Sequence, residues 1–363
     1  MENALSTLPL TAPSAELPRF GPPHIPIRED WLDRQREEIL DPGLPIVDAH
    51  HHLWDRPGQR YMFEDFLRDT GSGHNIRATV YVQCRSMYRL DGPAAMRPVG
   101  EAEFVNGVAA RSASGMYGPM RACAAIVGYA DLTLGAAVEE VLHALVRAAP
   151  DRLRGVRNMT AAHASPAVAP GFGRVPEGLL SDARFRAGYA RLAPLGLSYD
   201  VWAFHSQLAE VLDLARAYPD TALIVNHAGG PLGIGPYAGQ RDAVMRDWDH
   251  HLRALADCPN VALKLGGLGM HISGLRFHEQ DMPPSSEALA EAWRPWIHTA
   301  IERFGAQRCM FESNFPVDKG MAAYAAVWNA FKRLARGATP RERQALFAGT
   351  AARLYRLPAS VLA

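Results

Sequence analysis

Residues 46–55 read IVDAHHHLWD. The opening Ile46-Val47-Asp48-Ala49-His50 has the apolar, β-branched character of a buried strand. Alternate residues of a strand share a face, with Cα atoms about 6.5–7 Å apart. His50 and His52 are therefore expected to point together, and His51 the other way, toward a helical layer. Two imidazoles so placed can hold one divalent cation or bracket one substrate carbonyl. By the same alternation Asp48 is expected inward, placed to fix an imidazole tautomer. The inert alternative is a histidine cluster packed at a loop. An HxH pair that closes an apolar strand favours the functional reading.

Seven further runs of this kind follow, at 78–83, 123–128, 153–157, 197–202, 222–227, 261–265 and 308–312. Between them lie amphipathic stretches at 136–149, 208–218 and 287–304, the first carrying Val138, Val141, Leu142 and Leu145 on one face. Strands alternating with helices imply βαβ units and a parallel sheet, and eight units point to a closed (β/α)8 TIM barrel. No glycine-rich phosphate loop follows the first strand, which disfavours a dinucleotide fold. The 363 residues suit one such barrel over 45–363, preceded by a proline-rich arm over 1–44.

Lys plus Arg equals Asp plus Glu, at 38 each. That balance argues against a nucleic-acid or membrane-surface partner and leaves a small-molecule substrate, with a homo-oligomer open. The start lacks the basic and continuous apolar stretch of a secretory signal. No run reaches transmembrane length, so a cytoplasmic location is expected. Cys84, Cys123, Cys258 and Cys309 are far apart and read as buried, reduced thiols.

In such barrels chemistry belongs at the C-terminal strand ends. Those ends carry His50 and His52, Gln83, Arg157, His205, His227, Lys264 and Ser313-Asn314. His227 opens the turn Ala228-Gly229-Gly230, and a third imidazole there converges on the first two. Arg157 at a strand end can clamp a carboxylate or polarise a carbonyl. His205 either starts a helix or lines the site. Lys264 has inward parity and needs a partner, either within the barrel or on an anionic substrate. Residues 271–285 read as a substrate-facing loop, with His271 and Arg276 as candidate contacts, alongside Arg85 and Tyr88.

The segments IVDAHHHLWD (46–55), LRGVRN (153–158), ALIVNHAGGP (222–231), NVALKLGGLGM (260–270), CMFESNFPVDK (309–319) and FAGTAARLYRL (347–357) together resemble the amidohydrolase superfamily, in its lactonase-like amidohydrolase 2 branch. The resemblance implies a distorted barrel, a hydrolytic theme, and His50, His52 and His227 in the active site. The family pattern ends strand eight with a Ser-Asp-Trp-Pro-like motif, whose aspartate takes a proton from water and often binds metal. Here Ser313-Asn314-Phe315-Pro316 puts an amide at that position, and an amide cannot be the general base. Asp318 lies four residues on. Glu312 is nearer, but strand parity turns it opposite to Ser313.

Relatives of this kind include metal-free and zinc-dependent lactonases. No metal-bridging lysine ends strand four, where Arg157 stands, so a binuclear centre is not expected. The expected cofactor is none or one divalent ion, zinc first, on His50, His52 and His227. The resulting expectation is a hydrolase of a small, carboxylated lactone or related cyclic ester. His50, His52, His227, Arg157 and Asn314 would be catalytic; His205, Lys264, Arg85, His271, Arg276 and Asp318 would contact substrate. The alternatives are a decarboxylase of a small aromatic or unsaturated acid and a non-catalytic binding barrel.

Overall fold

The computed structural model describes residues 24–168 and 175–361. Eight strands form one sheet in sequence order: β1 (Ile46–His51), β2 (Ile76–Val82), β3 (Arg121–Gly128), β4 (Leu153–Val156), β5 (Ser198–Val201), β6 (Leu223–Val225), β7 (Val261–Leu265) and β8 (Cys309–Phe311). Every neighbouring pair is parallel. The turn after β8 closes the circle on β1. His51 bridges Phe315, His52 N–H donates to Phe315 O at 2.8 Å, and Asn314 N–H donates to His50 O at 2.9 Å. Each strand is followed by a helix, such as Val138–Ala148, Leu208–Ala217 and Ser286–Phe304, so the fold is the expected distorted (β/α)8 barrel.

The sheet has two apolar faces, as a parallel sheet under helices requires. Val47, Ala49, Val80, Val82, Ile224 and Met310 fill the barrel interior. Residues of opposite parity, such as Ile46, Tyr81, Val225 and Phe311, pack beneath the helices. Ala348, Ala351 and Tyr355, near the chain's end, join the interior cluster and stop the barrel at the end away from the strand C-termini.

One irregularity matters for the chemistry. Asp48 pairs with Thr79 but His51 pairs with Tyr81, so β1 carries one extra residue, a β-bulge. Val47 and Ala49 face inward below it, and the imidazoles of His50 and His52 face inward above it. The expected inward position of Asp48 is thereby overturned. Its carboxylate instead accepts from Ser313 N–H at 2.8 Å and Tyr324 O–H at 3.0 Å, tying β1 to the segment after β8 and to the helix Tyr324–Leu334. His51 does face outward, stacked on Phe66 at 4.1 Å.

Of the arm expected over 1–44, residues 1–23 lie outside the described residues. The remainder crosses the 278–286 segment: Trp31 Nε1 donates to Gln280 O at 3.0 Å, and Glu37 accepts from Ser286 N–H at 2.5 Å. Among the described residues no helix is long and apolar enough to cross a membrane.

Candidate active site

The mouth of the barrel gathers residues from five strand ends. His50 lies at the centre and is wholly buried. Its Nδ1 is 2.8 Å from Glu312 Oε2, and its Nε2 is 3.2 Å from His52 Nε2 and 3.3 Å from Arg157 Nη1. His227 places Nδ1 2.8 Å from Glu312 Oε1, and the same oxygen accepts from His227 N–H at 3.0 Å. The His50 and His227 rings are 4.6 Å apart, and Trp202 meets His227 edge-on at 4.7 Å.

The hydrogen-bond partners determine the tautomers of His52 and His227. Glu312 Oε1, which also accepts from His227 N–H, holds the proton on His227 Nδ1, whereas His50 Nδ1 faces both Glu312 Oε2 at 2.8 Å and the donating Lys264 ammonium at 3.4 Å. Val82 O lies 2.7 Å from His52 Nδ1 and holds the proton there. His52 and His227 are thus left with a basic Nε2. Burial pushes the imidazole pKa of His50 and His52 well below the ordinary value; nearby positive charge deepens the effect, from Lys264 on His50 and Arg157 on His52. Burial also lowers His227, against the opposing pull of Glu312. The rings are neutral at pH 7.

Glu312 is the residue that sequence parity misplaced. Met310 is part of the barrel interior, and period two carries Glu312 inward with it. The adjoining backbone makes room for it. A Cβ on Gly266 would collide with the Glu312 backbone and Cγ, and one on Gly267 would lie 2.5 Å from His227 Nδ1. Gly267 also sits at φ +67°, where a side chain is disfavoured. Left-handed backbone recurs at Arg85, His227 and Asn314, each at a strand end around the mouth.

Asn314 is buried, and its Nδ2 donates to Asp318 Oδ1 at 2.7 Å. Only its amide oxygen is left without a partner among the described residues. Asp318 does return to this turn, where it also accepts from Gly269 N–H at 2.8 Å. Burial pushes its pKa up to about 8, so it is mostly protonated at pH 7. Arg157 donates to Gln83 O as well as facing His50. The side-chain amides of Gln83 and Asn226 are buried without partners among the described residues, polar atoms that a bound substrate or water would satisfy.

Other expected contacts lie elsewhere. Lys264 is wholly buried and spent on Asp200 at 2.7 Å, with His50 Nδ1 at 3.4 Å. It therefore takes the structural branch of its two expected roles, because a fully covered ammonium in an ion pair has no open side for substrate. Arg276 is exposed and paired with Glu279, and His271 is exposed beside His278, so neither joins the histidine centre. The loop they belong to is anchored instead by the arm. His205 is buried against Tyr237 at 4.8 Å, its pKa lowered to about 4 by burial. Arg85 is half-buried at the end of β2, close enough to Tyr88 and Tyr129 to act on both hydroxyls electrostatically. Cys84 is no nucleophile, since burial pushes its thiol up to about 12.

The imidazoles also bear on metal binding. His50, His227 and Glu312 offer ligand atoms within 4.8 Å of one another. The 2.8 Å contact of His227 Nδ1 with Glu312 Oε1 is a hydrogen bond, which places the carboxylate behind that ring. The 3.2 Å spacing of the two facing Nε2 atoms suits one ion, because two Zn–N bonds of about 2.0–2.1 Å at a tetrahedral angle span roughly 3.3 Å. Arg157 competes for the same His50 lone pair. The donor set fits one ion and offers no bridging group for a second.

A family model described as Amidohydrolase matches residues 47–357. The chain is similar to y4mH, an uncharacterised protein of Sinorhizobium fredii, at 33% identity over 86% of this chain and 99% of that protein. It is also similar to the L-fucono-1,5-lactonase of Burkholderia multivorans, at 29% identity over 87% and 97%. Among solved structures, an amidohydrolase from Burkholderia multivorans with bound zinc superposes with a TM-score of 0.64 at 26% identity, over 86% of this chain and 99% of that one.

Proposed function

This chain belongs to the amidohydrolase family, and from that membership we propose that it hydrolyses a small lactone, a cyclic ester of a carboxylated hydroxy compound. The observation that carries this reading is the set of three neutral imidazoles, of which His52 and His227 are protonated at Nδ1 toward an acceptor and basic at Nε2, beside one buried guanidinium. The resemblance to an L-fucono-1,5-lactonase over almost its whole length supports the same chemistry.

Arg157 polarises the lactone carbonyl and holds the negative charge that develops on its oxygen. The Asn314 amide oxygen accepts one hydrogen bond from the attacking water and orients it. His227 Nε2 takes a proton from that water as its oxygen bonds to the carbonyl carbon. The tetrahedral intermediate collapses by breaking the ring C–O bond. The leaving oxygen takes the proton back from His227, giving a hydroxy acid and a neutral imidazole. A divalent ion held by His50 and His52 would add Lewis-acid polarisation of the carbonyl.

The test is acid release from a panel of sugar-acid and unsaturated lactones, followed in weakly buffered indicator. Turnover of one class is expected, with a loss of about 10²–10⁴-fold in His227→Ala. Carbon dioxide release from an unsaturated or aromatic acid, with every lactone inert, would replace hydrolysis by decarboxylation.

A further inference from the structure

We propose that Glu312, and not a carboxylate at position 314, is the acidic group on which the histidine centre depends. It acts as a positioning residue, fixing the Nδ1–H tautomer and the orientation of His227 through two hydrogen bonds, with His50 packed against its other oxygen. The proposal rests on the hydrolytic reading above.

Three observations meet in it. The amide at 314 is neutral and its nitrogen is bonded to Asp318, so the turn after β8 supplies no base. Among the described residues the carboxylate in contact with the imidazoles lies two residues earlier, on the inward side of the strand, hydrogen-bonded through Oε1 to His227 and with Oε2 2.8 Å from His50 Nδ1. The consecutive glycines Gly266 and Gly267 clear the space that Glu312 and His227 occupy. A carboxylate moved from the rim to the wall of the barrel thus comes with the backbone that accommodates it.

Charge counting supports the exchange. Asp200 is paired with Lys264, and Arg157 lies in the field of Asp200 first and of Glu101 and Glu312 after it. A second carboxylate at 314 would leave the buried centre with an uncompensated negative charge, which low-dielectric surroundings penalise.

The experiment compares wild type, Glu312→Gln, Asn314→Asp and the double variant on whichever lactone the wild type turns over. A carboxylate that acts through histidine gives its main effect in kcat. Glu312→Gln is expected to lower kcat about 10³–10⁴-fold with KM within a few-fold. Asn314→Asp alone is expected to give no gain. The double variant should recover at least tenfold over Glu312→Gln, since it restores one carboxylate. Imidazole ¹⁵N NMR supplies a readout without substrate: Nδ1-protonated His227 in wild type, and a changed tautomer there in Glu312→Gln. Glu312→Asp, which keeps the charge, stands in if the glutamine variant does not fold. An unchanged His227 tautomer, kcat within threefold of wild type, or no recovery in the double variant would each overturn the proposal. A wild type inert toward every lactone would overturn the hydrolytic reading instead, while the NMR comparison still decides the tautomer role.

Discussion

Replacing Lys264 by methionine removes one half of an ion pair that has no access to solvent. Lys264 Nζ and Asp200 Oδ2 are 2.7 Å apart, and Tyr355 O–H donates to the same oxygen at 2.8 Å. At an effective dielectric constant near 20, unit charges at that distance attract by about 6 kcal/mol before desolvation is counted. Desolvation offsets much of this, and deleting one partner of a buried pair costs about 3–5 kcal/mol because the other charge is left uncompensated. Lys264→Met is expected to lose that amount in urea unfolding at pH 7. Taking about 2 °C per kcal/mol, the melting temperature falls by roughly 6–10 °C. The double variant Asp200→Asn, Lys264→Met should recover most of the loss, since it leaves no buried charge. A single-variant cost below about 1 kcal/mol, or a double variant as destabilised as the sum of the two singles, would refute the reasoning.

Gly267→Ala places a methyl against the His227 ring and forces a left-handed backbone. Steady-state kinetics should show a kcat loss of about 10²-fold, the scale set by displacing a catalytic group by roughly 1 Å, with only a modest fall in melting temperature. Arg157→Met removes the guanidinium that faces His50, and kcat/KM for the lactone is expected to drop about 10²–10³-fold. Asp318 has its folded pKa raised, so its stabilising contribution is complete below its unfolded pKa, near 4, and is lost as pH rises toward about 8. Asp318→Asn should flatten that decline, seen as a larger wild-type-minus-variant difference in melting temperature at pH 5 than at pH 9. Equilibrium dialysis should find zinc saturating at no more than one ion per chain, with His52→Ala removing the tight site.

The eight strands were legible because each is an apolar run bounded by turn residues, and parallel strands buried on both faces carry that signal strongly. His50, His52, His227 and Arg157 were legible because they interrupt such runs at their ends. Facing direction was less so. Alternation predicts it only while pairing stays in register, and the extra residue in β1 put Asp48 outside and the histidines inside. At β8 the error was one of reference point: counting from the polar Ser313 turned Glu312 outward, whereas counting from the apolar Met310 turns it inward. Asp200, the partner of Lys264, carried no such signal, because a single acidic residue within Ser198–Val201 looks the same whether it meets water or a buried ammonium. The loop at 271–285 looked suited to substrate from its composition, but its polar groups are used by the arm and by one another.

The bulge in β1 also determines how this protein tolerates change in length. Below it the strand packs against methyl groups; above it the strand meets polar chemistry, and one additional residue separates the two halves. Deleting Ala49 would remove the extra residue and let the pairing run regularly, with His51 still opposite Tyr81. His50 would then follow Asp48 directly, and plain alternation would keep His50 and His52 inward and His51 against Phe66, at the cost of one interior methyl. Point substitutions along β1 test packing one contact at a time, whereas this single-codon deletion tests whether the histidine centre needs the bulge or only the inward facing that the bulge preserves.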